Sequence, residues 1–192
     1  VEEPGAATVS AKQPIKNYGI VLPENALLFP CFGMKFKKST FIRFANSAWR
    51  FQLFLLWKLP AAWFMGVRIR SFTLQECIVA LPYSWFAQNP FRSTYFAAQC
   101  AAGELSTGML ALGYLQEKPP VSMLVTRIEA EFYKKADRTL LFTCSDGEAI
   151  AAVIEQTLER GEPRVFRAES IARLPDGEVA ARIWVEWSFK AK

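Results

Sequence analysis

The chain has 192 residues, 52% of them hydrophobic, with 16 Phe, 6 Trp and a formal charge of +5. That composition excludes a disordered chain and suits one domain with a sizeable core. The basic excess is mild and scattered and carries no nucleic-acid motif; it fits an anionic ligand or a membrane surface, and no nucleic-acid partner is expected.

Histidine is absent from the sequence. This removes Ser-His-Asp and Cys-His catalysis and histidine metal sites, so acid–base work falls to carboxylates, Lys, Tyr or Cys. Cys31, Cys77, Cys100 and Cys144 lie far apart in apolar runs, with no CxxC pair. No zinc site, and no metal or cofactor of any kind, is expected from them. Free buried thiols point to a reducing, cytoplasmic setting. Residues 1–14 are polar and small and lack a basic-then-apolar signal pattern. Residues 1–39 read as an N-terminal arm and loop, and 40–192 as a single domain.

Residues 40–66 form an apolar segment interrupted by Arg43, Arg50 and Lys58. No uninterrupted apolar stretch there reaches the length of a bilayer span. Asn46 or Ser47 is placed to cap a helix starting near Ala48, and Pro60 to kink or end it. This helix is apolar nearly all round. It must therefore be buried, lie on a membrane as a peripheral contact, or cover a ligand.

Residues 67–72 read as a short strand. Cys77, Val79, Leu81 and Tyr83 then alternate with Glu76, Ile78, Ala80 and Pro82, the period of a second strand. After a turn-rich stretch, Ser93 or Thr94 is expected to cap a long helix running to about Leu112. It is rich in Ala and Gly, and Gly103 and Gly108 each cost about 1 kcal/mol of helix propensity against Ala, which implies a packing reason for keeping them. Gly113 and Pro119-Pro120 are expected to end it.

Residues 121–135 form a long strand, with Ile128, Ala130 and Phe132 on one face and Arg127, Glu129 and Glu131 on the other. The chain turns at 136–138 and returns over 139–144. Asp146 opens a helix that Gly161 closes. Residues 165–173 form a strand, Pro175-Asp176-Gly177 a hairpin turn, and Val179, Ala181, Ile183, Val185, Trp187 and Phe189 one face of the last strand. No βαβ rhythm and no Gly-rich phosphate loop appear. The simplest solution is an α+β domain, with an antiparallel sheet of about six strands on one central helix.

The stretch Asn89 to Glu104, NPFRSTYFAAQCAAGE, resembles the active-site helix of the hot-dog thioesterase superfamily. In its phenylacetyl-CoA thioesterase-like branch an Asn, a His-Gly-Gly and a later acid recur. Asn89 matches the Asn and Glu104 the acid, while Tyr95 stands at the His and Phe96-Ala97 at the Gly-Gly. The longer stretch LPYSWFAQNPFRSTYFAAQCAAGE, with TLLFTCSDG and the final WSF, is similar to an uncharacterised bacterial hot-dog family classed as a domain of unknown function. This resemblance covers roughly residues 67–190 and implies a hot-dog core there, with 40–66 as an added helical segment.

The resemblance implies an acyl-CoA or acyl-carrier thioester as substrate, hydrolysed at a homodimer interface or in a dimer of dimers. Glu104 would be general base or nucleophile, and Asn89 would orient carbonyl or water. The physical reading runs beside it. A helix start offers free N–H groups and partial positive charge, so the amides of Phe96 or Ala97 can hold a developing oxyanion. Tyr95 and Glu104 are nine residues apart on one helix, too far for one ligand atom to touch both. Tyr95 fits a core aromatic as well as a ligand contact. Trp49, Phe54, Trp57 and Trp63 are candidates to roof an acyl pocket. The substitutions at the His-Gly-Gly positions leave a second reading open, a non-catalytic acyl or lipid binder.

Overall fold

A computed structural model describes residues 36–192. Three short helices come first: α1 (Lys38–Ala45), α2 (Ala48–Lys58) and α3 (Pro60–Phe64). β1 (Arg68–Phe72) and β2 (Cys77–Leu81) follow, then α4 (Phe96–Leu115), β3 (Val121–Phe132), β4 (Leu140–Cys144), α5 (Gly147–Arg160), β5 (Arg164–Arg173) and β6 (Val179–Ala191). The strands form one antiparallel sheet in the order β1-β2-β4-β5-β6-β3. α4 packs on β2, β4, β5 and β6, so the sheet wraps the helix as in the hot-dog fold.

Alternation explains the sheet. Ala181, Ile183, Val185, Trp187 and Phe189 of β6 all point into the core, as do Cys77, Val79 and Leu81 of β2. Cys77 and Cys144 face each other across β2 and β4, and burial raises both thiols far above the ordinary range. One expectation is corrected here. β4 does not return along β3; it inserts between β2 and β5, while β3 pairs with β6. Parity along a strand says which residues share a face, but nothing local says which strand lies alongside.

The glycines of α4 explain how close the helix lies. A Cβ on Gly103 would stand 2.9 Å from Ile183, and one on Gly108 2.9 Å from the Trp187 ring. Gly113 does not end the helix; it sits inside it against Phe72, and α4 runs on to Leu115. Trp187 Nε1 donates to Thr107 Oγ1 at 2.9 Å, and Ser106 Oγ to Ser170 Oγ at 2.7 Å. These two buried bonds join helix to sheet where only small side chains fit between them.

Expected caps are displaced by tertiary partners. Ser93 and Thr94 do not cap α4. Thr94 Oγ1 donates to Ala136 O, Ser93 Oγ to Asn89 Oδ1, and Tyr95 is the N-cap residue without a side-chain bond. Ser47 is the N-cap residue of α2, again without a side-chain bond. Asn46 serves another purpose: it exchanges two hydrogen bonds with the backbone of Phe72, at 2.9 and 2.8 Å. That ties the helical segment to edge strand β1 and blunts an open sheet edge. Asp146 stands at the start of α5 but accepts from Glu169 N instead of capping it. Gly161 ends α5 in the left-handed conformation, φ +70°. Pro60 ends α2 and opens α3, where its missing N–H costs nothing. α1, which the sequence reading did not separate, packs Phe41 and Ala45 inward. Of the arm expected over 1–39, residues 1–35 lie outside the described residues.

The approach distances give a ranked prediction. At Gly147 a Cβ would meet Leu74 O at 2.0 Å, a backbone atom that cannot rotate away. At Gly103 the nearest atoms all belong to the Ile183 side chain, the closest at 2.9 Å. Gly147→Ala should destabilise by about 1–3 kcal/mol or more, the range for overpacking. Gly103→Ala should cost less, because its contact is with a side chain and about 1 kcal/mol of propensity is regained in the helix interior, where Gly147 stands at a helix start. Chemical denaturation of both variants checks the order; equal losses would contradict it.

Candidate functional site

Glu104 lies in the third turn of α4, half-buried, and is the only charged residue of that helix. It borders an open recess of about 550 Å³ with Phe96, Ala97, Cys100 and Ala101 of α4 and Ile128 and Ala130 of β3. The recess thus runs from the helix start to the acid, and its far wall is the edge strand. Ile128 and Ala130 are on the strand face that parity assigns to them.

No described residue pairs with the Glu104 carboxylate; its recorded bond is the backbone one, Thr107 Oγ1 to Glu104 O at 3.0 Å. Burial raises its pKa above the ordinary carboxylate range. Oε1 stands 3.6 Å from the place where a Cβ on Gly108 would be, and the Trp187 ring closes the same spot at 2.9 Å. The acid therefore lies over the Gly108 turn, desolvated without a compensating cation among the described residues.

The helix start is held from two sides. Tyr95 N donates to Ala87 O at 2.7 Å, and Thr94 N to Ala136 O at 2.6 Å. The N–H groups of Phe96, Ala97 and Ala98 have no acceptor within the helix. Gln99 was not singled out from sequence. It is buried, donates to Thr94 O at 3.1 Å and leaves its Oε1 without a partner among the described residues. A Gln within an Ala run carries no local signal of this. Cys100 borders the recess, but burial raises its pKa, so it is a thiol and not a ready nucleophile at neutral pH.

The other predicted residues are placed as follows. Asn89 Oδ1 accepts from Phe91 N at 3.0 Å, Ser93 N at 3.2 Å and Ser93 Oγ at 3.1 Å, building the turn before α4. Tyr95 is exposed, with its ring edge-on to Phe96 at 4.8 Å. Trp49 and Trp57 are exposed on α2, and Trp63 is half-buried against Phe64. Phe54 borders a different space of about 30 Å³, with Phe41, Phe51 and Met109. That is about one water's share of liquid volume and too small for an acyl chain. The chain brings Phe96, Ala97 and Glu104 to one recess, and does not bring Asn89 or the four roofing candidates to it. Among the described residues no group of three His, Cys, Asp or Glu gathers to hold a metal ion.

Residues 47–187 match the DUF4442 family, a domain of unknown function. The chain belongs to this family. No curated protein matches it in sequence. Solved structures share the fold. A Pseudomonas aeruginosa protein of unknown function, named a probable thioesterase, superposes with TM-score 0.63 at 16% identity, over 83% of this chain and 99% of its own. A protein of unknown function from Chlorobaculum tepidum gives 0.62 at 16%, over 73% and 92%. A thioesterase from Haemophilus influenzae gives 0.56 at 10%, over 76% and 91%. The DUF4442 domain here is a hot-dog domain of thioesterase-like fold.

The raised pKa sets a stability prediction. The folded protein holds the Glu104 proton more tightly than the unfolded chain does, so stability falls as pH rises from the unfolded value, about 4.3, through the higher folded one. Glu104→Gln removes this loss. The variant should melt above the wild type at pH 7, and the gap should close below about pH 4. Thermal melts across that range check it; a variant less stable at pH 7 would mean that the ionised carboxylate has a stabilising partner.

Proposed function

We propose that this protein hydrolyses acyl thioesters, on coenzyme A or an acyl carrier, with a medium or long acyl chain. The observation that carries this reading is the unpaired, half-buried Glu104 in a recess that also reaches the free amides at the start of α4. Glu104 takes a proton from water as the water oxygen adds to the thioester carbonyl carbon. The amide of Phe96 or Ala97 holds the oxyanion. The C–S bond then breaks, and the proton on Glu104 goes to the leaving thiolate. Desolvation makes Glu104 a stronger base than an exposed carboxylate, provided it is ionised, so the rate should rise with pH through its elevated pKa. Asn89 acts by shaping the loop that delivers the helix start.

The two parts of this machinery lie seven or eight residues apart on one helix, about 10–12 Å along its axis. One carbonyl cannot reach both. A second copy resolves this, with the acid of one protomer meeting the helix start of the other. β3 is the strand for it. Among the described strands it pairs only with β6, and Leu124, Ile128 and Phe132 are exposed along it. The assembly is a homodimer, or a dimer of dimers, with the recess at its seam. Light scattering at micromolar concentration should give an even multiple of the 21.7 kDa chain; a monomer would remove the two-subunit site.

A panel of acyl-CoAs of increasing length tests the reaction. The wild type should turn over the longer ones, and Glu104→Gln should lose a factor of about 100 to 10,000 in kcat while still binding acyl ligand. A Gln variant at full rate would overturn the role of Glu104. No turnover across the panel, with binding retained, would instead give the non-catalytic acyl binder, a reading that Tyr95 and Phe96 at the positions of His and Gly favour.

A further inference from the structure

We propose that the outer face of α2 and α3, together with the Trp85–Ala87 turn, docks the protein on the surface of an anionic lipid bilayer. This does not depend on the hydrolytic reading.

α2 carries apolar side chains on two opposite faces. Phe51 and Leu55 are buried against the domain. Trp49, Leu53, Leu56 and Trp57 recur at i, i+4, i+7 and i+8 and are exposed, Trp49 at 64%. One apolar face satisfies the core; on the second, Trp49, Leu53 and Leu56 are exposed. This second face does not stand alone. Trp63 and Phe64 of α3 are in ring contact at 5.1 Å, Phe64 and Phe86 at 5.5 Å, and Phe86 and Trp85 at 4.9 Å. That chain of rings joins α3 to the turn before α4, where Trp85 is 75% and Phe86 59% exposed. An aromatic surface of this extent exceeds the scattered apolar residues of an ordinary monomer.

Charge selects the occupant. Residues 36–103 hold eight Lys and Arg against one acidic residue, Glu76. The remainder of the chain is nearly balanced. None of the exposed cations in 36–103 makes an ion pair with a described residue, whereas the ion pairs among the described residues all fall between Lys118 and Arg182. Arg50 lies over the Trp49 ring at 5.1 Å and Lys58 over the Trp57 ring at 3.8 Å, each cation flanking the apolar stripe. Apolar stripe, indoles and flanking cations together are what an anionic headgroup layer recognises. A second copy presenting the same face would set cation against cation. Among the described residues no helix is long and apolar enough to cross a membrane, so the contact is peripheral.

The test is co-sedimentation of the full chain with vesicles of phosphatidylcholine alone and of phosphatidylcholine mixed with phosphatidylglycerol. The protein should pellet with the anionic vesicles, release at high salt, and shift its tryptophan emission to the blue on binding. Arg50→Gln with Lys58→Gln should lower the partition coefficient about 25-fold, about fivefold for each cation. Trp49→Ser with Trp85→Ser and Phe86→Ser, all at exposed positions, should abolish the blue shift without changing the circular dichroism of the free protein. Failure to pellet with anionic vesicles at low salt would overturn the proposal. So would binding that both variants retain in full, and so would a change of oligomeric state in the Ser variant of a protein that does not pellet, which would assign the face to a second copy.

Discussion

The close approach of α4 to β6 is the constraint on which the rest of the structure depends. It exists because Gly103 and Gly108 present no side chain where Ile183 and Trp187 must sit. Their loss of helix propensity, about 1 kcal/mol each, is offset by what the approach makes possible. Ile183 packs at the helix backbone, and Trp187 can bring its Nε1 to Thr107. Trp187 and Thr107, like Ser106 and Ser170, thereby partner each other in a place that excludes water, which fixes the helix in rotation as well as in depth.

Fixing α4 in rotation is what places Glu104. The acid follows Gly103 directly and precedes Gly108 by one turn, so it lies along the flank of the helix–sheet contact, neither inside it nor on the open surface. Desolvation there is strong enough to raise its pKa. A structural carboxylate in such surroundings would be matched by a cation, as Glu169 is by Arg182 at 2.7 Å. Glu104 has no such match among the described residues. That unpaired, desolvated carboxylate is what the proposed chemistry would use.

Much of this was legible in sequence, and the remainder was not for identifiable reasons. The period-two run through Val185, Trp187 and Phe189 specified β6 and its inward face, because alternation is a local property of a half-buried strand. Asp146 and Gly161 marked the ends of α5, and Glu104 stood out as a lone charge in a helix of small side chains. The position of β4 was not legible, since strand order is decided by contacts between distant segments. Ser47 and Asp146 stand at the expected helix starts, but the cap of α4 was misplaced, because Thr94, like Asn46, has two uses for a short polar side chain. Ala136 O takes Thr94 from the start of α4, while Asn46 bonds the Phe72 backbone and Ile42 O at the end of α1 instead of opening α2. Residues 40–66 left three alternatives open because they carry two apolar faces, and composition cannot say which of them the fold will use.

The loop before α4 connects the aromatic surface to the recess. Trp85 and Phe86 point outward to the rings of α3, while Ala87, the next residue, is buried and its carbonyl receives the N–H of Tyr95. Asn89 then gathers Phe91 and Ser93 into the turn that brings the chain back to that carbonyl. Phe96, one residue past the cap, borders the recess. One short segment therefore sets both the outward aromatics and the free amides at the helix start. A displacement of the Trp85–Ala87 turn would be carried to the helix start through the bond from Tyr95 N to Ala87 O, and Thr94, bonded to Ala136 O, resists it from the other side. The surface and the recess thus share one short segment, anchored by these two bonds.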